Sequence, residues 1–118
     1  MSFASKYNKT GIKFDVDASG FDFVNLETLY KEHGEGRKYE IDALYINTKS
    51  EYGAHPVAVI EDLQLKADLP KHLKETAEEM LSDDEAIEAI RSGRAGFIID
   101  PYLKNGKQCY GVRWIDLD

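Results

Sequence analysis

A single cysteine, Cys109, excludes an intrachain disulfide, so the fold has to rest on a buried core. The three histidines, His33, His55 and His72, stand 22 and 17 residues apart, outside any metal-ligand spacing. They read as surface or loop residues, and no metal is expected. No apolar run approaches the 18 residues of a membrane helix, and Met1 to Lys13 hold no signal-peptide core. With the lone cysteine, these absences predict a cytosolic, reducing setting and no membrane partner. Catalytic signatures are missing too. There is no Gly-x-Ser-x-Gly elbow and no Cys–His pattern, and Gly34, Gly36, Gly93 and Gly96 do not make a phosphate loop. Cys109 beside Tyr110 reads as strand filler rather than a nucleophile. A carboxylate pair could be drawn from any of 22 acids, so the sequence singles none out. The chain is therefore expected to be non-enzymatic and to carry no cofactor.

What is present is charge of one sign in one place. The 14 residues from Glu75 to Glu88 hold seven acids (Glu75, Glu78, Glu79, Asp83, Asp84, Glu85, Glu88) and no base. Removing those seven from the 22 acids leaves 15 acids against 15 bases, so the net −7 belongs to this segment. A local surplus leaves the rest of the surface free to meet a polyanion. The plain alternative for the segment is a solvated helix face. Its functional alternatives are a docking face for a basic protein, with Glu78, Glu79, Asp83 and Asp84 as contacts, or a repulsive side that directs nucleic acid elsewhere.

By length this is a single domain, 1–118, with 1–11 reading as a loose N-terminal arm. Ile12, Phe14 and Val16 alternate with charges as in a half-buried strand, and Phe21 and Phe23 resume the alternation. Asn25 is placed to cap a short helix through His33, closed by Gly34. Tyr39 to Asn47 and Val57 to Leu63 read as strands around a polar loop, 48–56. Asp68 is placed as the N-cap of a helical hairpin or kinked helix running to Arg91, with Ser82 opening a capping box for its second half. Ala95 to Leu103 and Lys107 to Leu117 flank Asn105-Gly106, the strongest short hairpin signal. The expected class is α+β, mainly β. Five strands with a helical segment between strands 3 and 4 is the element order of a small OB-like barrel. An open α+β sheet with helices on one face shares that string.

Basic and aromatic residues gather on two hairpins. Tyr45, Lys49 and Tyr52 surround the first loop. Tyr102, Lys104, Lys107, Tyr110 and Arg113 surround the second. Rings that stack bases and cations that pair with phosphates are what binding to single strands requires. Tyrosine and tryptophan are also good strand formers that half-bury without any ligand, and Tyr39 and Trp114 fit that role best.

The segment Tyr45-Ile46-Asn47-Thr48-Lys49-Ser50-Glu51-Tyr52-Gly53, running into Val57-Ala58-Val59-Ile60, resembles a hairpin of OB-fold single-stranded-DNA-binding proteins. It is similar to small proteins carried by phages and plasmids of Gram-positive bacteria near replication and recombination genes. The resemblance covers about two-thirds of the chain. It implies non-catalytic binding of single-stranded DNA in replication or recombination, with Tyr45, Tyr52, Tyr102 and Tyr110 stacking and Lys49, Lys104, Lys107 and Arg113 pairing with phosphates. The long acidic C-terminal tail used by bacterial single-strand binders is missing, and the chain ends Trp114-Ile115-Asp116-Leu117-Asp118. The acids of the helix are its nearest substitute. The rival expectation is an acidic interaction module, a phage inhibitor or adaptor. Self-association is left open.

Overall fold

One bend organises the molecule. The structure, a computed structural model, describes residues 14, 16–51 and 53–117. The continuous strand expected over Tyr39–Asn47 divides into β2 (Lys38–Glu40) and β3 (Ala43–Asn47), and β1 (Asp22–Asn25) precedes both. At the break, the N–H of Ile41 donates to Ala95 O at 3.0 Å and the N–H of Asp42 donates to Val59 O at 2.9 Å. Consecutive residues thus bond to different sheets, and the chain passes from one layer to the other with both N–H groups satisfied. The apolar residues around the bend, Tyr39, Ile41 and Leu44, are all buried.

The first sheet has the order β1-β5-β4-β3, with β4 at His55–Ile60 and β5 at Leu65–Asp68. All six residues of β4 are buried, as befits a central strand of Pro, Val, Ala and Ile. A 3-10 turn, Glu61–Leu63, and left-handed Gln64 (φ 54°) reverse the chain into β5. The strand expected over Val57–Leu63 therefore starts two residues earlier and stops at Ile60. β5 itself was not expected. β1 joins its free edge in parallel, with Phe23 beside Lys66 and Asn25 beside Asp68.

The second sheet is β2-β6-β7, with β6 at Ala95–Lys104 and β7 at Lys107–Asp116. Both turn residues carry positive φ, Asn105 at 54° and Gly106 at 77°, the type I′ geometry that matches strand twist.

Three α-helices complete the described residues: α1 (Leu26–His33), α2 (Lys74–Leu81) and α3 (Asp84–Arg91). Asn25 caps α1 as expected, its side chain accepting from Thr28 N–H at 2.8 Å. Asp68 is not a helix cap. It ends β5, and Leu69-Pro70 and a 3-10 turn, Lys71–Leu73, separate it from α2. The cap of α3 is Asp83, which accepts from Glu85 N–H at 2.9 Å, one residue after the expected Ser82. The helices pack through Leu29, Ala77, Ile87 and Ile90. Tyr39 stacks on Phe97 (5.2 Å between centroids), and its hydroxyl donates to Leu29 O at 3.3 Å, tying α1 to β2.

The fold is α+β and mainly sheet, with seven strands in two sheets among the described residues and no closed barrel. The outer edge of β5, a partner that closure could use, is occupied by β1. β7 pairs with β6 alone among the described strands. The expected strand over Ile12–Val16 falls outside the described residues except for Phe14, which is buried, and Val16, which packs against the core.

Candidate nucleic-acid interface

Strand register sets the first half of the site. Tyr45, Val57, Asp68 and Asn25 line up across β3, β4, β5 and β1, and so share one face. Ala43, Val59, Lys66 and Phe23 form the next row on that face, and Asn47 with His55 form the row on it beyond Tyr45. Over this face lies a groove of about 950 Å³, lined by Phe23, Tyr45–Asn47, Thr48–Glu51, His55 and Asp68. Its loop is held locally. Asn47 Oδ1 accepts from Lys49 N–H at 3.0 Å, and Gly53 N–H donates to Ser50 O at 3.1 Å. Gly53 takes φ 99°, and a Cβ there would meet Lys71 Nζ at 3.1 Å. Lys71 therefore stands beside the loop as a further cation.

His55 locks that loop to the sheet. Its Nε2 is 2.8 Å from Asp68 Oδ1 and its Nδ1 is 3.0 Å from Gly53 O. Both neighbours are acceptors, so two good bonds require an N–H on each nitrogen, the charged imidazolium. Burial, the largest influence, pulls the His55 pKa down and Lys71 adds to that pull. The bonds to Gly53 O and Asp68, with the Asp68 charge, outweigh both and leave it raised. Burial and the Asp68 carboxylate also raise the Tyr45 hydroxyl, keeping it a neutral phenol.

The second half is the β6–β7 hairpin. Lys104 faces Lys107, Tyr102 faces Cys109 and Ile98 faces Arg113. By parity, Tyr102, Lys104, Lys107 and Arg113 share one face. Two lysines directly opposite each other repel. Tyr102 lies near Gly111, where a Cβ would come within 3.4 Å of its ring. Tyr110 sits on the opposite face, 5.7 Å from the Tyr30 ring. It lines a smaller depression of about 240 Å³ that also includes Asn25, Pro70 and Asp68, so Asp68 is common to both hollows.

The expected binding residues thus fall into three places. Tyr45 and Lys49 line the groove. Tyr102, Lys104, Lys107 and Arg113 mark the hairpin face, and Tyr110 lies behind it. Tyr52 lies outside the described residues. Trp114 is half-buried edge-on to Phe97, at 6.4 Å, as expected for a packing residue. Sequence reasoning passed over Phe23, Lys66 and Lys71, and it read His55 as a surface or loop residue, whereas His55 is buried at the start of β4, where its ring pairs with Asp68. The pairing of β1 with β5 exposes Phe23 and brings Lys66 to 4.2 Å from its ring centroid, and no local pattern signals that.

The acidic segment divides between two helices. Glu78 and Glu79 are exposed on α2, with Lys74 Nζ 3.9 Å from Glu78. Asp83 caps α3, and Asp84 and Glu85 occupy its first turn, where negative charge offsets the helix dipole. Part of the surplus therefore has a folding reason. A second titratable group sits at the sheet-switching bend. Burial, a hydrogen bond with the Glu40 carboxyl and nearby acids push Asp42 up to about 7, against the opposing bond it accepts from Glu61 N–H at 2.8 Å.

No protein-family model, curated protein or solved structure matches the chain. Among the described residues, no three His, Cys, Asp or Glu side chains gather to hold a metal, and no helix is long and apolar enough to cross a membrane.

Proposed function

We propose that this protein binds single-stranded DNA without chemistry, in phage or plasmid replication or recombination, through an opened OB-like sheet. The observation that carries the reading is the groove over β4 and β5, walled by the loop between β3 and β4 and lined by Phe23, Tyr45 and Lys49. Strand order supports it. A bent strand shared by two sheets (β2/β3), two strands in one sheet (β4, β5), helices, then a hairpin in the other (β6, β7) follows a five-stranded Greek-key plan. On that plan the loop at 48–54 joins the first and second strands, and the Asn105-Gly106 turn joins the fourth and fifth. Those two loops and the face of the second and third strands are where OB folds take oligonucleotides. The bent strand here is the plan's first, so the groove meets its second and third strands at His55 and Asp68. The apposed Lys104 and Lys107 are explained as phosphate contacts.

Binding to oligo-dT, titrated with salt, tests the reading. Four cations pairing with phosphates (Lys49, Lys104, Lys107, Arg113) give a slope of log K against log salt of about −3. Absence of binding at low salt overturns it.

A further inference from the structure

We infer that Phe23 is the base-stacking platform of the groove and that Lys66, held against its ring, takes the phosphate of the same nucleotide. The inference rests on the single-strand reading above and names contacts that reading does not contain. Large apolar side chains are exposed at Phe23 (50%), Tyr102 (40%) and Leu103 (71%), and the last two belong to the tip of the β6–β7 hairpin. Phe23 therefore stands apart from them, on β1 at the edge of its sheet, where a phenylalanine is ordinarily turned to the core. It borders the groove on the face that Tyr45 borders from the far side of the sheet. Three strand spacings separate the strands that carry them, about 14 Å. The two rings stand in adjacent rows of that face, on its two edge strands, with Val57 and Asp68 of one row and Val59 and Lys66 of the other on the strands between.

Lys66 supplies the second observation. Its ammonium is 4.2 Å from the Phe23 centroid, and among the described residues it makes no ion pair. A cation held by a ring rather than by a carboxylate keeps its charge available to an anion. A ring and a free cation side by side match the two parts of one nucleotide, the base and its phosphate.

The test compares oligo-dT with an abasic oligomer of equal length, both at low salt, using the full chain. Phe23→Ala is expected to weaken oligo-dT binding about tenfold or more and to leave abasic binding within about twofold. Phe23→Leu keeps an apolar side chain on β1 and should lose as much, whereas Phe23→Trp should retain binding. Lys66→Ala is expected to weaken both ligands and to reduce the magnitude of the salt slope by about 0.7. Wild-type protein that binds oligo-dT, with Phe23→Ala and Phe23→Leu binding equally well, overturns the inference while the single-strand reading stands. Equal loss of both ligands in the Phe23 variants also overturns it, since a merely structural role predicts that. Wild-type protein that binds neither ligand removes both.

Discussion

The His55 imidazole bridges Asp68 Oδ1, at 2.8 Å, and Gly53 O, at 3.0 Å, so one ring joins β4, β5 and the loop that walls the groove. Because its folded pKa is raised, the stability it contributes is fully present below about 6.5, its unfolded value, and is lost as pH rises through the folded value. Thermal melts of wild type and His55→Gln should therefore differ most near pH 5.5, by about 1–2 kcal/mol, and the difference should shrink as pH rises. A difference that grows with pH would contradict this arrangement.

Asp42 has the same sign for a different reason. Its carboxyl is pushed up to about 7, so the folded state holds a proton that the unfolded chain releases near pH 4. Its contribution is present below pH 4 and declines as pH rises through 7. Asn at this position can donate to Glu40 and accept from Glu61 N–H as the protonated acid does. Asp42→Asn should raise the melting temperature at pH 8, by the equivalent of about 1 kcal/mol after solvent screening, and change little at pH 4. Differential scanning calorimetry across that range checks it.

Lys104 and Lys107 should separate binding from stability. Either lysine changed to Ala relieves the cross-strand repulsion, so chemical denaturation should show unchanged or slightly higher stability, by up to about 1 kcal/mol. Oligo-dT binding should weaken, with the salt slope smaller by about 0.7 for each lysine removed. Lower stability together with unchanged binding would assign the pair a structural role.

The acids divide by position. Asp83→Ala removes the α3 cap and should cost about 1 kcal/mol, whereas Asp83→Asn keeps an accepting oxygen and should cost little. Reversing Glu78, Glu79 and Asp84 to Lys, with Asp83 left in place, should leave oligo-dT binding unchanged or tighter. Loss of binding to a basic partner in a pull-down, with DNA binding absent, would favour the interaction-module alternative.

Gly96 tests the bend itself. A Cβ there would lie 2.5 Å from Tyr39 O and 2.9 Å from Leu117 Cδ1. Gly96→Ala should destabilise by about 1–3 kcal/mol in urea melts, as overpacking does where backbone cannot retreat.

Local chemistry was legible in the sequence, and non-local pairing was not. Asn25 as a cap and Asn105-Gly106 as a type I′ turn follow from interactions within a few residues, and both stand where the pattern put them. The expected cap at Asp68 failed because its carboxylate pairs with His55, thirteen residues away, in a sheet rather than with the start of a helix. The strand over Tyr39–Asn47 looked continuous because alternation does not reveal that Ile41 and Asp42 bond to different sheets.

By itself the sequence determined the α+β composition, the hairpin turn, the charge segregation and the basic-aromatic character of two loops. These depend on residue type and short spacing. Only the tertiary structure decided which rings face outward. Phe21 and Phe23 belong to one alternating pattern. The parallel pairing of β1 with β5, a contact between residues more than forty positions apart, leaves Phe23 half-exposed beside Lys66, while Phe21, just before β1, packs against the core.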